Sequence, residues 1–223
     1  MSVLDRFRLE GQRLFITGGS RGLGREMALA IADVGADVVL VSRDRDSLEK
    51  TAADIRQLGR TANILVADVG VPSECEQVCQ HALDQFGPFD ILINNVGGRR
   101  INVPVEDQTL EQWQQILDIN LTSTFLCTKL IGGAMVKRGQ GGRVINIASI
   151  SGMVANRGIG GRSYETSKAA VIQLAMSNLR QEFGGGDGQR RMRVERPIAA
   201  LKPCRQRLDA AGVDHGEDAA VPF

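Results

Sequence analysis

Charge of one sign is what this chain has least of: 27 lysines and arginines stand against 26 aspartates and glutamates, a formal net charge of +1. That balance gives no electrostatic case for nucleic acid or an anionic membrane as a partner. No uninterrupted apolar run approaches the length of a bilayer, and Met1-Ser2-Val3-Leu4-Asp5-Arg6 lacks the apolar core of a secretion signal. Cys75, Cys79, Cys127 and Cys204 form no Cys-x-x-Cys pair, and His81 and His215 lie far apart. No metal centre is expected, and the cysteines read as reduced thiols of a cytoplasmic protein. Aromatic residues amount to 4%, with one tryptophan, Trp113, and one tyrosine, Tyr164. Trp113 and the Cys75/Cys79 pair read as packing groups.

What is present is ordinary in amount and ordered in pattern. Apolar residues at 43% of 223 suit one domain with a full core. Short β-branched runs alternate with longer segments of helical period: Leu14 to Ile16, Val38 to Val41, Ile64 to Val66, Ile91 to Ile93 and Val144 to Ile147. The helical segments run from Arg21 to Val34, Arg45 to Leu58, Ser73 to Phe86, Leu110 to Lys137, and through Tyr164 to about Phe183. Alternation of this kind gives β-α units, and continuous apolar strands are covered on both faces. Right-handed crossovers then predict an α/β fold with a doubly wound parallel sheet.

The pattern stops at Phe183, so residues 1–183 form the predicted domain and 184–223 an atypical tail. Gly184-Gly185-Gly186-Asp187-Gly188 breaks the chain, and only Val194, Ile198, Val213 and Val221 are β-branched beyond it. One short strand near Met192 to Val194 is the most that can be read there. The tail is expected to order poorly and to be cut first by protease.

Thr17-Gly18-Gly19-Ser20-Arg21-Gly22-Leu23-Gly24 follows the first strand and opens the first helix. Glycines there let the backbone approach a pyrophosphate, whose charge suits a helix N-terminus. At the end of the second strand Val41-Ser42-Arg43 places a cation where ribose or its 2′-phosphate would lie. Arg21 is a second cation, so NADP(H) is favoured; Asp44, one residue on, keeps NAD(H) open.

Tyr164 and Lys168 lie four residues apart on one predicted helix face. A phenol ordinarily titrates near pH ~10, and an ammonium one turn away favours the phenolate, making Tyr164 usable as a general acid/base.

With these features the chain closely resembles the short-chain dehydrogenase/reductase family over roughly residues 8–183. The matching motifs are Thr17 to Gly24, Asp68-Val69, Asn94-Asn95-Val96-Gly97, Asn120, Ser149, and Tyr164 with Lys168. The resemblance implies a Rossmann-like fold and interconversion of a small-molecule carbonyl and a secondary alcohol. It implies that Asp68 and Val69 hold the adenine, that Asn94 and Gly97 shape the floor under the cofactor, and that Ser149 stabilises the substrate oxygen. Lys168 would also hold the nicotinamide ribose, and Asn120 would anchor a water linking Lys168 to solvent. Ser151 is the rival of Ser149, but Ser149-Ile150-Ser151-Gly152 fits the family's Ser-x-x-Gly with Ser149. Asn120 has an alternative as a backbone-bonded structural amide. Arg99 and Arg100, with Arg157 or Arg162, read either as solvated charges or as recognition for an anionic substrate. Assembly into a homodimer or homotetramer through the long helices is expected by the same resemblance.

The tail departs from the family: Arg193-Val194-Glu195 stands where a sixth strand would open, with no Pro-Gly after it. A truncated or frame-altered end would account for this. The alternative to an active enzyme is a catalytically weak relative that binds dinucleotide or a partner subunit.

Overall fold

The computed structural model describes residues 3–99, 101–155, 162–181 and 193–194. Six parallel strands, β1 (Arg13–Thr17), β2 (Asp37–Ser42), β3 (Ala62–Val66), β4 (Ile91–Asn94), β5 (Arg143–Asn146) and β6 (Arg193–Val194), lie in the order β3-β2-β1-β4-β5-β6. The order reverses direction between β1 and β4, so loops leaving their carboxyl ends diverge and open a crevice. In register, Phe15 sits between Val39 of β2 and Leu92 of β4.

Among the described residues, five helices cover the sheet: α1 (Gly22–Asp33), α2 (Arg45–Gln57), α3 (Pro72–Phe86), α4 (Leu110–Arg138) and α5 (Ser163–Gln181). Strand alternation sends Leu14 and Ile16 to one face, where they meet Ala28, Ala32, Leu48 and Ile55 of α1 and α2. Phe15 points the other way, onto Cys79 and Ala82 of α3 and Leu126 and Ile131 of α4. Its ring also packs edge-on against Phe89, with centroids 5.4 Å apart. Local signals start the helices where their sequences suggest. Asp44 caps α2 by accepting from the Ser47 N–H, Pro72 opens α3, and Thr109 with Gln112 closes a capping box on α4.

α4 holds the most sequence-specific backbone feature. Its helix widens to π geometry at Asp118–Thr122 and again at Thr128–Gly132. Hydroxyls compete for carbonyls one turn back: Ser123 Oγ donates to Ile119 O at 2.8 Å, Thr124 Oγ1 to Asn120 O at 3.0 Å and Thr128 Oγ1 to Thr124 O at 2.7 Å. Such back-bonding loosens the i→i−4 ladder and accommodates the bulges. By length and composition α4 is apolar enough to cross a membrane, although its apolar residues do not form one run. Its apolar residues form a stripe along the helix. Leu126, Cys127, Ile131 and Met135 spend that stripe on the sheet and α3.

The strand expected near Met192 to Val194 forms as β6, pairing Arg193 with Arg143 and Val194 with Val144. The rest of the 184–223 tail, Arg100, Arg157 and the glycine-rich loop after it lie outside the described residues.

Phe15 is fully buried at the centre of the sheet. Phe15→Ala is expected to lower unfolding free energy by about 3–5 kcal/mol, through lost transfer and the cavity left between α3 and α4. Urea unfolding followed by circular dichroism measures this; a loss under about 1 kcal/mol contradicts the packing described.

Candidate active site

The loop after β1 and the loop after β4 are stapled together. Thr17 Oγ1 accepts from the Asn95 N–H at 3.1 Å and from the Val96 N–H at 3.2 Å. Asn95 Nδ2 donates back to Thr17 O at 3.1 Å and Gly18 O at 3.3 Å. Gly24 then passes so close that an added Cβ would stand 2.1 Å from Gly18 O. No side chain caps α1 at Arg21, so its first N–H groups remain for an anionic ligand. Beside them lies a cleft of about 200 Å³ lined by Ser20, Arg21, Arg43, Asp68, Val69 and Gly97. The close glycine turn, the uncapped helix and the cationic rim fit a dinucleotide. Thr17 itself is buried and its hydroxyl is taken by the staple, while Gly22 and the exposed Leu23 stand beside the cleft rather than in its lining.

At the far end of the cleft Arg43 pairs with Asp68 at 3.1 Å, and Ser20 Oγ meets Ser42 Oγ at 2.9 Å. Asp68 also accepts from the Gly70 N–H at 2.9 Å, which fixes its carboxylate over the β3 loop. Asp44 points elsewhere. It accepts from the Ser47 N–H at 3.2 Å and the Ser47 hydroxyl at 2.7 Å, and these bonds hold its carboxyl below the usual range.

Two of the predicted catalytic residues, Asn120 and Lys168, converge on Gly97. A Cβ there would lie 2.6 Å from Asn120 Oδ1 and 2.8 Å from Lys168 Nζ, so only glycine lets both groups in. Lys168 is 4% exposed and donates to Ile147 O at 2.8 Å, and burial lowers its pKa from 10.5 to about 8. Tyr164, one turn earlier on α5, is half-buried, with the Arg99 guanidinium 4.8 Å above its ring centroid. Glu165 holds Arg99 from the side at 2.6 Å. Ser149 caps the short turn Ile150–Gly152, accepting from the Ser151 N–H at 3.2 Å, and Gly152 lies against the backbone of Lys168 and Ala169. The turn therefore sits on the helix that carries Tyr164.

Two of the predicted site residues are held by hydrogen bonds within the fold. Asn120 occupies the first π bulge and is fully buried. Its Oδ1 accepts from the Gly98 N–H at 2.9 Å, and its Nδ2 donates to Gly98 O at 3.1 Å and Ile116 O at 3.0 Å. The amide clamps α4 to the β4 loop. Asn94, expected under the cofactor, is buried below the cleft, donating to Asn146 Oδ1 at 2.8 Å and Thr128 Oγ1 at 3.1 Å. Asn95 and Glu165 carry contacts that sequence reading did not assign. Their partners lie 78 and 66 residues away, and only the charge complement of Glu165 and Arg99 offered a signal.

The buried ammonium sets a pH dependence. Between pH 8 and 10.5 the folded chain holds fewer protons on Lys168 than the unfolded chain, so stability rises with pH across that window. Below it the full penalty of about 3 kcal/mol applies. Lys168→Met is expected to remove this rise. Urea midpoints of parent and variant compared at neutral and alkaline pH measure it; parallel curves contradict a desolvated lysine.

A family model described as short chain dehydrogenase matches residues 12–186. Galactitol 2-dehydrogenase of Rhizobium johnstonii is 33% identical over 177 residues, covering 79% of this chain and 68% of that protein. The crystal structure of a short-chain type dehydrogenase/reductase from Mycobacterium marinum superimposes with a TM-score of 0.74 at 38% identity, covering 79% of this chain and 71% of that one. A gluconate 5-dehydrogenase from Burkholderia cenocepacia, solved with NADP and tartrate, gives 0.71 at 31% identity over 79% of this chain and 68% of that one. The matched segment thus spans about two thirds of the length of these relatives. On the motifs, the fold and these matches together, the chain belongs to the short-chain dehydrogenase family.

Proposed function

We propose that this chain interconverts a carbonyl and a secondary alcohol on a small molecule, using NADP(H), with Tyr164 as general acid/base. The observation that carries the reading is the convergence of Lys168 and Asn120 on Gly97, one turn from Tyr164 and beside the glycine-turn cleft. When bound, the nicotinamide supplies or accepts the hydride. Tyr164 gives a proton to the substrate oxygen in reduction and takes it back in oxidation. Ser149, on the turn beside that helix, donates a hydrogen bond to the same oxygen as its negative charge develops. Lys168, one turn away on the same helix, holds the nicotinamide ribose.

NADP(H) is preferred over NAD(H) because of what surrounds the 2′ position. Arg43 and Arg21 line the cleft, whereas the Asp44 carboxylate is committed to capping α2. The Arg43–Asp68 pair is half-exposed on the arginine side, so it is weak and a 2′-phosphate can take the guanidinium over. α4 and α5 expose Phe125, Val136 and Met176, which supports pairing of the long helices into a homodimer or homotetramer. The net charge of +1 is consistent with a cytoplasmic protein without nucleic-acid partners.

A screen of carbonyl compounds with NADPH identifies the substrate class, and two variants then test the chemistry. Tyr164→Phe is expected to lower hydride transfer by roughly 10²–10⁴-fold while NADPH still binds; near-parent turnover sinks the mechanism. Arg43→Glu is expected to weaken NADPH roughly ten- to a hundredfold and NADH by much less. Equal losses, or tighter NADH binding in the parent, overturn the cofactor assignment.

A further inference from the structure

α3 and α4 bury three thiols against one another. Cys75 and Cys79 stand one turn apart on α3, Cys127 faces them from α4, and none is more than 1% exposed. Cys127 Sγ lies 3.6 Å from Cys75 Sγ and 3.7 Å from Cys79 Sγ, and all three sulfurs fall within 4.8 Å of one another. A point equidistant from sulfurs so spaced is roughly 2.1–2.4 Å from each, against about 2.3 Å for a zinc–thiolate bond. The three sulfurs are therefore close enough to share one three-coordinate centre, with a small inward shift for a pyramidal one.

Charge selects the occupant. Val78, Leu126, Ile131 and Val144 belong to the apolar cluster around the thiols, and among the described residues the ligand group ends at three. Zinc on three thiolates would leave one net negative charge in this apolar setting and an unfilled fourth position, and copper(I) would leave two charges. A trivalent centre on three thiolates is neutral, and its lone pair takes the fourth direction. The geometry points to a buried binding site for trivalent arsenic of the arsenite class, formed by Cys75, Cys79 and Cys127. Each arsenic–oxygen bond of As(OH)3 is exchanged for an arsenic–sulfur bond. The three thiol protons leave with the three hydroxides as water, and nothing is oxidised or reduced.

A route to the thiols is present. A groove of about 630 Å³ runs between the start of α3 and the first half of α4, lined by Val71, Pro72, Ile116 and Ile119. Cys75 lies one turn beyond Pro72, and its thiol donates to Ser123 O at 3.9 Å, one turn beyond Ile119. Opening the first turn of α3 therefore exposes the trio from this groove, since helix ends open at lower free energy than the core.

The test uses the full chain, kept reduced with a phosphine, incubated with arsenite and desalted. The expected result is one arsenic retained per chain, a mass gain of one arsenic less three hydrogens, and loss of three titratable thiols. X-ray absorption should show sulfur alone around arsenic. Cys204→Ser should keep all of this, while Cys127→Val and the milder Cys79→Ala should each lose the retained arsenic. The thiol count and sulfur-only shell on the parent decide the matter whether or not those variants fold. Retention unchanged in the core variants, loss in Cys204→Ser, or capture only by urea-unfolded chain overturns the site. Equimolar zinc retained by the parent where arsenite is not retained overturns the charge argument.

Discussion

The contact on which this site depends is the clasp between Thr17 and Asn95. Parallel strands β1 and β4 adjoin at the reversal of sheet order, and nothing in the ladder itself fixes the loops that leave them. Four hydrogen bonds between these two residues and their neighbours tie the loops together. The clasp sets the floor on which Gly18 and Gly24 make their close approach. On the other side it leads through Val96 to Gly97, where Lys168 and Asn120 meet. The glycine-turn cleft and the meeting point of Lys168 and Asn120 are thus positioned from one place, and a shift in the β4 loop would move both.

That arrangement works against stability. Lys168 is held in a dry position with Ile147 O as its hydrogen-bond acceptor, and burial lowers its pKa to about 8. A core optimised for stability would put an apolar side chain there, because a buried ammonium favours unfolding at neutral pH. Asn120 shows a related compromise. A π bulge gives up regular helix bonding at Asp118–Thr122, and the amide it turns inward recovers three hydrogen bonds with Gly98 and Ile116.

The sequence made the fold legible because its signals are local. Leu14 to Ile16, Val38 to Val41 and Ile91 to Ile93 are continuous apolar runs, and burial on both faces leaves no alternation to misread. Helix ends were legible where capping chemistry is local, as at Asp44 and Thr109. The glycine turn, Tyr164 and Lys168 could be placed for the same reason. The hydrogen-bond partners of Asn94 and Asn120 could not be read, because a motif gives a residue's position but not its neighbours in space. The thiol trio was illegible for a further reason. Cys75 and Cys79 show their spacing in sequence, but Cys127 joins them only because α3 and α4 pack on the same face of the sheet.

Arg99 shows how far local reading can go before tertiary contacts redefine a charge. Sequence placed it near the substrate entrance, either solvated or ready for an anion. In the fold its guanidinium lies over the Tyr164 ring and is gripped by Glu165, with both side chains mostly buried. The cation lies on the ring face, and Glu165 offsets its charge from within the same helix. Because Glu165 directly follows Tyr164, the arginine's counterion travels with the tyrosine on one rigid helix. An anionic substrate approaching Arg99 would have to compete with that carboxylate, so the cation serves first to fix the tyrosine and only by exchange to bind a ligand.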